Sequence, residues 1–215
     1  MSPLYQPGSL HLHLQQRAGA GVSLTWSLQV LDHVLAGLQA AAASGIIHLD
    51  IKPQNIVLTA PSPSGSPTGE CPSCTRRARA FASPEQLGAI DAAPGGLSDL
   101  YGVGALAYWL LAGQAPLRRE FETAAVGADA DLLQVRHLMQ VGTRPERADR
   151  LTPDVSEQLG RLIDQWLSSP CRPHPAENGS HHRARLGAHP LGLLERAETS
   201  GLGGGAAQVS IHACE

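Results

Sequence analysis

Leucine and valine recur at three- and four-residue intervals through "VSLTWSLQVLDHVLAGLQAAA", Val22 to Ala42, where Leu24, Leu28, Leu31, Leu35 and Leu38 form a stripe that Val30 and Val34 widen. This spacing predicts a long amphipathic helix. Ser23 stands just before the stripe, placed to cap the first free N–H groups, and Ser44 and Gly45 mark the far end. The following stretch, "SGIIHLDIKPQNIVL", sets His48, Asp50, Lys52 and Asn55 inside an apolar frame. Residues 59–80, "TAPSPSGSPTGECPSCTRRARA", carry Pro, Ser and Gly at turn-forming density without apolar periodicity, and read as loop or disorder. Apolar character returns in "LSDLYGVGALAYWLLAG", Leu97 to Gly113, which predicts a helix buried nearly all round and closed by Gly113. Two further helices are expected around Ala130 to Val141 and Pro153 to Leu167. From Arg172 onward only Leu191 to Leu194 form an apolar cluster, so residues 174–215 are expected to be a disordered tail.

Composition narrows the partners. A net charge of -3 offers no electrostatic footprint for nucleic acid or for an anionic membrane surface. There is no uncharged apolar run of the roughly 18 residues that a membrane span needs, and no basic-then-apolar leader at the N-terminus. A cytoplasmic protein in a reducing compartment is the expectation, because Cys71, Cys74, Cys171 and Cys214 are too few and too uneven for a disulfide framework. Cys71 and Cys74 have zinc spacing, but no second pair follows to complete four ligands. Ser62 and Ser66 each precede a proline near "TRRARA", where phosphorylation would add charge to a loop.

The chemistry concentrates in "HLDIKPQN". Histidine, then aspartate two on, lysine two further and asparagine three beyond is the spacing of a protein-kinase catalytic loop. Here the sequence resembles the protein kinase family, of serine/threonine type from the lysine, with "HLD" in place of the commoner His-Arg-Asp. The resemblance implies that Asp50 orients the proton of a substrate hydroxyl, Lys52 steadies the transferring phosphoryl group and Asn55 holds magnesium, with His48 as a structural pin. "ASPEQL", Ala82 to Leu87, resembles the Ala-Pro-Glu motif that closes the activation segment, with Ser83 replacing the alanine. "SDLYGVGALAYWLLAGQAPL" resembles the family's Asp-x-Tyr/Trp-Ser-x-Gly helix, in which Asp99 would bond to the backbone of the catalytic loop. "LIDQWLSSPCRP" resembles the segment whose arginine pairs with the motif glutamate, which implies a Glu85 to Arg172 ion pair. The Ser-Pro-Glu-Gln and Ser-Asp-Leu-Tyr-Gly forms look most like bacterial members.

The resemblance implies a mainly α fold: a kinase-like C-terminal lobe over residues 1–173, starting at the hinge in "MSPLYQPGSLHLHLQQ", with a short β hairpin at the catalytic loop and the N-terminal lobe absent. ATP and magnesium are the cofactors it implies, and a protein substrate or protein partner is expected. Several family groups are not in the sequence. Lys52 is its only lysine, so no strand lysine is available for the ATP phosphates. No glycine-rich phosphate loop occurs, and no Asp-Phe-Gly lies between Asn55 and Ala82. Since phosphoryl transfer depends on positioning and electrostatics, impaired or absent activity is expected. The alternative is a non-catalytic C-lobe scaffold or binding module of the pseudokinase kind; the tail also reads like unrelated coding sequence.

Overall fold

The computed structural model describes residues 8–16, 22–59, 79–117, 139, 142–168 and 208–211. These are mostly helical, with one small antiparallel sheet. Strand β1 (Gly8–Ser9) leads directly into helix α1 (Leu10–Gln16), and the leucine stripe folds as α2 (Leu24–Ala43). The Ser23 hydroxyl accepts from the Trp26 N–H at 3.3 Å, which satisfies one of the orphan donors of the first turn. At the other end Ser44 and Gly45 donate to the carbonyls of Ala41 and Ala42 at 2.9 and 3.1 Å, and Gly45 takes φ 74°, where a side chain would strain the turn.

Trp26, Val30, Leu31, Val34, Leu35 and Leu38 are the buried face of α2; Leu24 and Leu28 are only half-buried, so the tryptophan heads the stripe. Ser27 lies on this face fully enclosed, and its hydroxyl has no hydrogen-bond partner among the described residues. Burying an unpaired hydroxyl costs free energy, and alanine is the better helix former. Ser27→Ala is therefore expected to leave the urea midpoint unchanged or to add up to about 1 kcal/mol of stability. A loss beyond that would show that the hydroxyl has a partner.

Helix α3 (Gly96–Ala112) is the central post, buried on nearly every side and packed against α2. Ser98 builds its start: the Ser98 hydroxyl accepts from the Gly95 N–H at 2.9 Å while its own N–H donates to the Gly95 carbonyl at 2.8 Å. Gly113, at φ 70°, closes it by donating to the Trp109 carbonyl. Two glycines inside α3 permit close approach rather than flexibility. A Cβ on Gly102 would stand 2.8 Å from Cβ of Ile51, and one on Gly104 would stand 2.8 Å from Cβ of Trp166. Trp166 belongs to α5 (Glu157–Leu167), which packs on α3 and buries Gly160, Ile163 and Trp166. The helix expected around Pro153 to Leu167 begins later, at Glu157, since residues 153–154 form a turn and Ser156, in extended conformation, caps α5 by accepting from the Leu159 N–H at 3.2 Å.

Short helix α4 (Ala148–Leu151) is tied to the end of α3 by the Thr152 hydroxyl, which donates to the Leu111 carbonyl at 2.9 Å. Beside it Arg147 makes a two-toothed contact with Asp149, Nε to Oδ1 at 3.0 Å and the terminal nitrogen to Oδ2 at 2.8 Å. The hydrogen bonds from Arg147 hold the Asp149 carboxyl below its ordinary value. A carboxyl lowered on folding adds stability that is fully present above its unfolded pKa, about 3.9, and is lost as pH falls through the folded value. Asp149→Asn is accordingly expected to flatten the decline in thermal stability below about pH 4; an unchanged acid limb would refute the linkage.

The strand expected after Asn55 is β2 (Ile56–Thr59), but its partners correct the expected hairpin. β2 is the central strand of three, antiparallel to β1 on one edge and to β3 (Gln208–Ile211) on the other. With both edges of β2 taken, none is left for a return strand to make a hairpin with it. The tail expectation is corrected for the same four residues: Gln208–Ile211 form a strand, with β-branched Val209 and Ile211 at alternate positions. The rest of the tail, Arg172, residues 60–78, the first seven residues and all but Met139 of the helix expected at 130–141 lie outside the described residues. No helix among the described residues is long and apolar enough to cross a membrane.

Candidate functional site

Asp50, Lys52 and Asn55 are brought together by the sharp path of the chain between α2 and β2. Pro53, which presets its own φ, starts a 3-10 turn over Pro53–Asn55, and the turn swings Asn55 back over Asp50. The Asn55 amide nitrogen donates to the Asp50 carbonyl at 2.9 Å and to Asp50 Oδ2 at 2.7 Å. Lys52 Nζ donates to the same oxygen at 2.6 Å. Oδ2 thus takes two donors, one of them charged, while Oδ1 keeps its acceptor capacity among the described residues. The pair is partly open to solvent, with side-chain exposure of 22% for Lys52 and 40% for Asp50. His48 lies beneath, its Nδ1 accepting from the Asp50 N–H at 3.3 Å. Its Nε2 is buried with no partner among the described residues.

The loop is anchored from α3. Asp99, 6% exposed, accepts from the His48 N–H at 2.9 Å and from the Leu49 N–H at 2.6 Å, one carboxylate oxygen to each. Between these bonds Leu49 adopts φ 61°, a left-handed conformation unusual for leucine that costs about 1–2 kcal/mol. Sequence offers no glycine or asparagine to announce it; the tertiary bonds impose it. Ile51 then packs directly on the bare backbone at Gly102.

A second anchor was not foreseen. Gln86 Nε2 donates to the Leu49 carbonyl at 2.5 Å, while Gln86 Oε1 accepts from the Ser83 N–H and hydroxyl at 3.1 and 3.0 Å. The residue that replaces alanine in the Ala-Pro-Glu resemblance therefore orients the glutamine that clamps the loop. The available signal was the pairing of a hydroxyl at 83 with an amide at 86, but no local rule connects either to Leu49.

Glu85 is 6% exposed and receives the Ser98 hydroxyl on Oε1, whereas Oε2 is buried with no partner among the described residues. Burial, together with the Glu85 charge, pushes the Tyr101 phenol far above its usual range. Arg172, the expected partner of Glu85, lies outside the described residues. Around the loop Ile46, Ile47 and Leu49 are exposed at 58%, 46% and 37%, an apolar strip on the surface. Among the described residues no group of three His, Cys, Asp or Glu side chains converges to hold a metal.

No family model matches the chain. Curated proteins do. It is 35% identical over 185 residues to the serine/threonine-protein kinase PknL of Mycobacterium tuberculosis, covering 72% of this chain and 45% of that protein. It is 27% identical over 200 residues to the serine/threonine-protein kinase pkn3 of Myxococcus xanthus, 80% of this chain and 35% of that protein. It is 25% identical over 234 residues to the probable serine/threonine-protein kinase pknA2 of Bifidobacterium longum, 92% of this chain and 30% of that protein. These matches relate the chain to serine/threonine kinases, of whose length it spans less than half.

Proposed function

We propose that residues 1–173 are the hinge and C-terminal lobe of a serine/threonine protein-kinase-like domain, and that these 215 residues alone are impaired or inactive in phosphoryl transfer. The observation that carries the reading is the Asp50, Lys52 and Asn55 cluster, closed by contacts of 2.6 to 2.9 Å on a loop fastened by Asp99. In this reading Asp50 accepts or orients the proton of a serine or threonine hydroxyl, for which Oδ1 is available. Lys52, held at the carboxylate, steadies the transferring phosphoryl group. Asn55 would have only its side-chain carbonyl to offer a magnesium ion, since its amide nitrogen is committed to Asp50.

The described residues do not make a complete magnesium site, because no further carboxylate joins Asn55 and Asp50 there. Nor does the sequence hold a second lysine for the ATP phosphates. The chain is accordingly expected to show no saturable rise in melting temperature with Mg-ATP up to millimolar levels. A site with a dissociation constant one hundredth of the nucleotide concentration would add about 2.7 kcal/mol, so a real site would be read easily. A saturable rise would overturn the inactive reading.

The apolar strip at Ile46, Ile47 and Leu49 favours a second reading, a non-catalytic scaffold that binds another protein, because exposed apolar surface of this kind commonly marks an interaction site. A cytoplasmic location and a protein partner belong to both readings.

A further inference from the structure

Strand β2 is buried along Ile56, Val57 and Leu58, so the peptide groups on both of its edges need partners inside the protein. β1 serves one edge over two residues, Gly8 opposite Leu58 and Ser9 opposite Val57. The other edge is filled along its whole length by the C-terminal strand, from Ile56 opposite Ile211 to Thr59 opposite Gln208. β3 also packs on α2. The strand that completes the sheet thus comes from the far end of the sequence.

We propose that the edge of β2 paired with β3 is a strand-accepting site and that the C-terminal strand is its releasable occupant. Released, the edge takes an extended segment of another polypeptide, antiparallel to β2, with valine or isoleucine at alternate positions as in Gln208–Ile211. Main-chain hydrogen bonds to a sheet edge supply affinity in this mode, and side chains at alternate positions supply selectivity. The occupant is four residues long, and each ladder bond contributes little net in water, so its hold is weak beside that of the helical core. The edge also adjoins the loop: Ile211 pairs with Ile56, the residue after Asn55, whose amide closes on Asp50. Exchange at the edge is thereby coupled to the order of the loop. The inference holds whether or not the chain transfers phosphate.

The test uses the full chain with a protease recognition sequence replacing Gly201–Gly205, cleaved after folding. The freed C-terminal peptide is expected to dissociate on dilution, and amide exchange at the alternate β2 residues whose N–H groups face β3 to accelerate on the order of 100-fold, while those facing β1 and the amides of α2 and α3 keep their protection. Adding a synthetic peptide of residues 205–215 should restore protection saturably, and the same peptide with Val209→Pro should not. Unchanged exchange after the peptide has left, loss of helix protection along with it, a peptide that stays bound on dilution, or failure of the synthetic peptide to rebind would each overturn the proposal. A concentration-dependent dimer of the uncleaved chain would place the strand on a second copy and overturn the assignment within one chain.

Discussion

Replacing Asp99 with alanine is expected to lower the unfolding free energy by about 3–5 kcal/mol. The carboxylate accepts two backbone N–H groups in a site only 6% exposed. Hydrogen bonds to a charged group contribute about 1.5–3 kcal/mol each, and the two donors would be stranded. Those bonds also hold Leu49 in its left-handed conformation, so their loss lets the residue relax and the chain from His48 to Asp50 leaves its path. Asp99→Asn keeps one acceptor oxygen and should lose about half as much. Urea unfolding reads the energy, and amide exchange at His48 and Leu49 reads the location. A loss below about 1 kcal/mol for the alanine variant would mean that the loop holds its shape without this anchor.

The second large effect concerns the buried Glu85 and its proposed partner. Arg172→Met is expected to cost about 3–5 kcal/mol, because it leaves a carboxylate 6% exposed without a cation for Oε2. Glu85→Gln in the same chain should recover most of that loss, since replacing both members of a buried pair removes the uncompensated charge. The Ser98 hydroxyl can still donate to the glutamine carbonyl, so the cap of α3 survives in the double variant. Additive losses in the two single variants and the double variant would show that Arg172 pairs elsewhere.

The periodic parts of the fold were legible in the sequence. The α2 stripe and its Ser23 cap, the all-round apolar α3 and the Gly113 stop follow from spacing and backbone preference, and all stand in the structure. The site's residues were legible as a motif, and their convergence depends on the turn at Pro53 that the motif contains. Long-range relations were hidden. Nothing local joins Gln86 to Leu49 or Gln208–Ile211 to β2, because each pairing depends on which distant backbone groups the fold leaves without partners. Positive φ at Leu49 was hidden for the opposite reason, since the intrinsic preference of leucine argues against it and two tertiary anchors override that preference.

Gly102 and Gly104 sit two residues apart on α3, hence roughly 200° apart around its axis. One bare face meets Ile51 beside the loop and the other meets Trp166 on α5. The gap between those two residues is set by the thickness of a naked peptide helix, whose Cα cylinder has a radius of about 2.3 Å. α3 acts here as a fixed gauge, and the dimension it sets is one that no exchange of side chains on the loop or on α5 can shorten.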